Sequence, residues 1–184
     1  LGLSQLHTKA NLVVPGAPFA FVIPRSAQAS PIYAALSVAF HPQDLPSALP
    51  YTLTLQLVQC LWDAVDGSGW SSTIASSGGK KRVLIQSALG DAQVPAVAAH
   101  LLARSLGASV LEEPIRNITG LPTVQAADLP KSSSVITEWS FAGVPAEPDI
   151  REQRPAQGQT TTHNCPKFEM SAEEQLFGFL LDGN

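Results

Sequence analysis

Two loops carry the residue types that acid–base chemistry needs. Ser87-Ala88-Leu89-Gly90-Asp91-Ala92-Gln93-Val94-Pro95 closes one apolar run on a carboxylate, and Thr160-Thr161-Thr162-His163-Asn164-Cys165 presents an imidazole after the next. A carboxylate that keeps one ring nitrogen protonated leaves the other free to take a proton from a hydroxyl, and it stabilises the imidazolium that forms. Asp91 and His163 are therefore the candidate catalytic residues. Their separation in sequence is no obstacle if both loops leave the same edge of a parallel sheet.

Each residue also has a plainer reading. Asp91 alone is an N-cap for the helix that follows, with Val94-Pro95 in its first turn. His163 alone is a surface histidine. Their order, strand then aspartate, helix, strand, then histidine, turns both towards the catalytic reading. His100 lies off the apolar stripe of its helix and is expected in solvent, while His7 and His41 sit in turns with no acid nearby. Asp63 and Asp66 have the spacing of a carboxylate pair for acid–base or metal chemistry, but so near a helix end they read as a solvated turn. Cys165, two residues from His163 on one loop, is poorly placed as a thiol nucleophile.

The sequence offers no nucleophile to this pair. No Gly-x-Ser-x-Gly occurs. In Gly2-Leu3-Ser4-Gln5-Leu6 the second glycine is missing, no strand can precede Ser4, and too few residues follow it for the required helix. Ser71-Ser72 and Ser132-Ser133-Ser134 read as solvated linkers. No metal-ligand set and no cofactor motif is present, so none is expected.

The elements that must position the two loops are legible in part. Ala10 to Val14 is a short apolar strand, central in character and stopped by Pro15-Gly16. Leu1 to Lys9 resembles a helix end. From Ala17 to about Ser71 prolines accumulate, and a helix from Tyr51 to Val65 carries Leu53, Leu57, Cys60 and Leu61 as its apolar stripe. Arg82 to Gln86 is the clearest strand. Gln93 to Leu106 is an amphipathic helix closed by Gly107. Ser134 to Phe141 alternates polar positions, which suggests a strand at a sheet edge. A Pro/Gly/Gln-rich stretch, Gly143 to Gln159, leads to the histidine, and a last helix starts at Ser171 with Ser171-x-x-Glu174 as a capping box.

Composition sets the class. With 184 residues, 45% apolar and 14% charged, the chain has material for one globular domain with a core. The net charge of −4 and a single short basic cluster, Lys80-Lys81-Arg82, argue against a nucleic-acid partner. Ala10 to Pro24 is broken by Pro15, Gly16 and Pro18, so no membrane span is expected. The chain opens without a methionine or a readable export signal, and its start has the look of a cut. Cys60 and Cys165 permit a disulfide without demanding one and are otherwise expected as buried thiols. Asn117-Ile118-Thr119 fits a glycosylation acceptor.

Taken together, Val13-Val14-Pro15-Gly16-Ala17-Pro18 with Ile23-Pro24-Arg25-Ser26, Leu57 to Asp66, Gly90-Asp91-Ala92-Gln93-Val94-Pro95 and His163-Asn164-Cys165-Pro166 resemble the C-terminal half of a bacterial α/β-hydrolase of esterase or lipase type. The resemblance spans nearly the whole chain and rests most on the aspartate and histidine loops. It implies an α/β fold, a mostly parallel sheet flanked by helices, in one incomplete domain over 1–184 with a lid-like helical insertion over 17–71. It also implies Asp91 as triad acid, His163 as triad base, and a nucleophile and oxyanion loop upstream of Leu1. The chain alone would be inactive.

The function expected is cleavage of carboxylic esters by the complete triad. The aromatic and aliphatic content of Phe19, Phe21, Tyr33, Phe40, Tyr51 and Trp62 favours an apolar acyl group. An unpaired sheet edge along the strand at Ala10 would invite pairing. The alternatives are a non-catalytic binding protein that kept the sheet, or a subunit complemented by a partner carrying the nucleophile.

Overall fold

The computed structural model describes residues 1–2, 4–40, 49–111, 114–144 and 161–181. The fold is α/β, a five-stranded sheet flanked by helices. Its strands are β1 (Lys9–Val13), β2 (Arg82–Ala88), β3 (Ser109–Leu111), β4 (Thr123–Val124) and β5 (Val135–Trp139). They lie in the order β1-β2-β5-β3-β4, and every neighbouring pair is parallel. The helices are α1 (Phe19–Val22), α2 (Ser30–Phe40), α3 (Leu49–Trp62), α4 (Ser71–Ala75), α5 (Ala96–Ser105) and α6 (Met170–Leu181).

Strand alternation divides the core between two faces. Val83, Ile85 and Ile136 point to α5 and meet Ala99, Leu102, Ala103 and Leu106. Leu84 and Val135 point the other way and meet Phe179 of α6. Because both faces are covered, β2 is buried throughout, as parallel strands usually are. Helix α5 ends in a Schellman motif: Gly107 takes φ +63°, its N–H donates to Arg104 O, and Ala108 N–H donates to Ala103 O.

Several expectations need correction. The strand at Ser134 is central, between β2 and β3; its polar Thr137 and Glu138 point to opposite faces and find hydrogen-bond partners there, Gln175 for the first and His100 and Arg116 for the second. The strand at Ala10 is the sheet edge among the described residues, only half-buried, and not a central strand. Residues 4–7 form a turn in which Ser4 Oγ accepts from Leu6 N and His7 N, in place of a helix end. Helix α6 starts at Met170, so Ser171 lies inside the first turn and not at the cap.

The apolar stripe of α3 faces outward. Leu53, Leu57 and Leu61 are exposed, Leu57 at 73%, while Leu55 and Gln59 turn inward. Gln59 decides the orientation, because its amide is committed to Ala20 N and Asp66 and would be costly to strip of those partners. Cys60 rides on the outer face and is exposed; Cys165 is half-buried, and neither is in a disulfide. His41, and all but the first two residues of the stretch from Gly143 to Gln159, lie outside the described residues. No described helix is long and apolar enough to cross a membrane.

Candidate active site

Asp91 sits where β2 gives way to the loop before α5. Gly90 at φ +73° turns the chain there, a backbone conformation that costs a residue with a Cβ. The carboxylate is fully buried and divides its two oxygens. Oδ1 accepts from Gln93 N at 2.8 Å and Val94 N at 3.0 Å, closing the turn ahead of the helix. Oδ2 stands 2.8 Å from His163 Nδ1. The N-cap of α5 is Pro95, so Asp91 secures the preceding turn and holds the imidazole with the same group.

The surrounding chain braces that turn. Val14 N donates to Gln86 O across the end of β1, and Ala27 N donates to Ala92 O. Gly16 packs so closely that a Cβ there would lie 2.9 Å from Val94 Cγ1. Val14 itself takes φ +47°, a strained conformation for a β-branched residue, at the strand end nearest this turn.

His163 lies in the 3₁₀ segment Thr161–Phe168, after β5 and ahead of α6. Its side chain is 20% exposed while that of Asp91 is 0% exposed, so the carboxylate is dry and the ring reaches solvent. Nδ1 is committed to Asp91, and Nε2 has no hydrogen-bond partner among the described residues. An imidazole held this way presents Nε2 as a proton acceptor. Beside the histidine segment, Phe141, Asn164, Cys165, Phe168 and Glu169 line an open cavity of about 390 Å³.

The other titratable candidates resolve differently. Asp66 is 1% exposed and far from a solvated turn: Oδ2 accepts from Phe19 N at 2.8 Å and Gln59 Nε2 at 3.0 Å, and Oδ1 from Ser68 N at 3.1 Å. It ties the start of α1 to α3. Asp63 accepts from Gln59 Nε2 and forms no metal set with Asp66; among the described residues no cluster of ligands is present.

His100 is buried at 3%, contrary to its expected solvation. Its Nε2 lies 2.7 Å from Glu138 Oε1, and Arg116 donates from Nε and Nη2 to the same carboxylate at 2.9 Å. Burial pushes the Glu138 carboxyl up, but the hydrogen bonds and charges of His100 and Arg116 outweigh it and hold the group below its ordinary range. Sequence reading missed this cluster; the signal was a lone charge, Glu138, inside an otherwise uncharged strand.

No family model, curated protein or solved structure matches this chain. The geometry therefore carries the functional reading by itself.

Proposed function

We propose that Asp91 and His163 are the acid and base of a Ser-Asp-His triad that cleaves carboxylic esters, with a serine contributed from outside these 184 residues. The observation that carries this reading is the 2.8 Å contact from a fully buried carboxylate to His163 Nδ1, with Nε2 left without a partner among the described residues. Asp91 would orient the ring and stabilise the imidazolium, and His163 would take the serine proton and return it to the leaving alcohol. In this reading the chain is the C-terminal portion of an α/β-hydrolase fold, and the helices over 17–71 are its lid-like insertion.

Two observations support the details. The exposed Leu53, Leu57 and Leu61 stripe, in a stretch whose one formal charge between Ala27 and Trp62 is Asp44, suits an apolar acyl group. The edge of β1, unpaired among the described residues and next to an apolar cavity of about 300 Å³ lined by Leu1, Ala10, Leu12, Trp70 and Leu102, suits a serine-bearing strand that pairs there. That observation favours complementation over a non-catalytic binding role.

Intact-mass analysis after fluorophosphonate treatment tests the proposal. The chain alone is expected to take no adduct, and labelling is expected on a serine of a complementing segment, dependent on His163. A stoichiometric adduct on a serine of this chain would overturn the outside nucleophile. Labelling that survives His163→Ala would overturn the triad.

A further inference from the structure

Helix α6 meets the sheet through few apolar side chains: Ala172 and Phe179 are its buried residues. An apolar contact of that size sets distance but not axial register, because dispersion is indifferent to small slides. Yet α6 follows the His163 segment directly, and a slide of about one ångström in catalytic geometry is costly. Something directional must fix the helix along β2, the strand that ends on Asp91.

A row of amides does this. Gln86 is nearly fully buried in the middle of β2. Its Nε2 donates to Ala172 O at 2.8 Å and to Gln175 Oε1 at 3.0 Å, both on α6. Thr137 Oγ1 of β5 donates to the same Gln175 oxygen at 2.9 Å, and Asn11 Nδ2 of β1 donates to Gln86 Oε1 at 3.0 Å. β2 and β5 thus bond one turn of α6 directly, and β1 braces the Gln86 amide that does so. Lys9 Nζ holds the other end through Phe179 O and Leu180 O. A buried amide in a strand as apolar as Val83 to Ala88 is unfavourable for packing alone, and its use is a bond of fixed length and direction.

We infer that Gln86, Gln175 and Thr137 are positioning residues that lock α6 in register on the sheet and so set the Asp91–His163 contact. This inference rests on the triad reading of that pair. The three side chains make no hydrogen bond to Asp91 or His163 among the described residues and act through the helix and the strand.

The Nδ1–H proton of His163, bonded to a carboxylate, gives a downfield proton resonance, identified by its absence in His163→Gln. The His100 proton bonded to Glu138, on the opposite face of the sheet, is the internal control. In Gln175→Met, which packs similarly but cannot accept two hydrogen bonds, the His163 resonance is expected to move and to exchange with water about tenfold faster, as a locally opened contact does. The His100 resonance stays. Gln175→Glu, which still offers an oxygen to both donors, retains the His163 signal, and the near-isosteric Thr137→Val weakens it in the same direction as Gln175→Met.

An unmoved His163 resonance in Gln175→Met and Thr137→Val overturns the inference and leaves the triad reading intact. Both resonances moving together also overturns it, since that marks general loosening, as does Gln175→Glu behaving like Gln175→Met. Absence of the resonance in the unsubstituted chain removes the Asp91–His163 pair itself, and both readings with it.

Discussion

Asp91 holds His163 with one carboxylate oxygen and its own turn with the other, so a single buried side chain both shapes the loop and aims the ring. The dual use explains why a turn-closing reading and the proposed acid reading of Asp91 were hard to separate: they are compatible. It also means that the two roles can be cut apart by chemistry.

Asp91→Asn keeps an oxygen for Gln93 N and Val94 N but turns an amide N–H towards His163. The ring must then take the wrong tautomer. Triad-dependent hydrolysis in the complemented protein is expected to fall about 10³–10⁴-fold, with Tm changed by a few degrees at most. Paired rate and melting measurements check this, and an equal collapse in both would count against it.

Asp66 is the structural carboxylate. Asp66→Ala leaves Phe19 N, Ser68 N and Gln59 Nε2 without their acceptor, at an expected cost of about 3 kcal/mol. Asp63→Ala, which removes one acceptor from a half-exposed position, should cost under about 1 kcal/mol. Urea denaturation of the two variants gives the comparison directly.

Glu138 makes stability depend on pH at the acid end. Its carboxyl is held below the ordinary range despite burial, because His100 and Arg116 bind the charged form. A depressed carboxylate contributes stability above its unfolded value, about 4.3, and loses it as pH falls through the lower folded value. Glu138→Gln should therefore be less stable than the parent by about 3 kcal/mol near neutrality. That difference should shrink below about pH 4. A difference that is constant with pH would contradict the assignment.

Gly16 is a spacing residue. In Gly16→Ala the new Cβ would lie 2.9 Å from Val94 Cγ1 and 3.2 Å from Val22 Cγ2, and neither stiff side chain can swing away. A loss of about 1–2 kcal/mol is expected. Adding Val94→Ala should recover part of it, which a double-mutant cycle measures; full additivity would show that the two do not touch.

The three longer strands and helices α3, α5 and α6 were legible because each leaves a local signal: an apolar run, a 3.6-residue stripe, a glycine stop. What was not legible depended on partners distant in sequence. The polar alternation of Val135 to Trp139 looked like an edge because nothing local announces that Glu138 will meet His100 and Arg116. The leucine stripe of α3 looked like a core face because the commitment of Gln59 to Ala20 and Asp66 is made elsewhere in the chain. β3 and β4, of three and two residues, are too short to carry a periodicity. Asp91 and His163 stood out by residue type and order, and the distance between them came only from the fold.

The parallel order of the sheet has a kinetic meaning. Lys9 pairs with Arg82 and Leu84 with Val135, so both ladders of β2 close only after long stretches of chain have been brought back. Contacts of such sequence separation form slowly, since loop entropy is lost before any pairing is gained. His163 lies 72 positions from Asp91, so this contact carries a loop-closure cost like that of the ladders. The contact at the centre of the site is thus expected late in folding, and its appearance in a refolding experiment would time the docking of the His163 segment on β2.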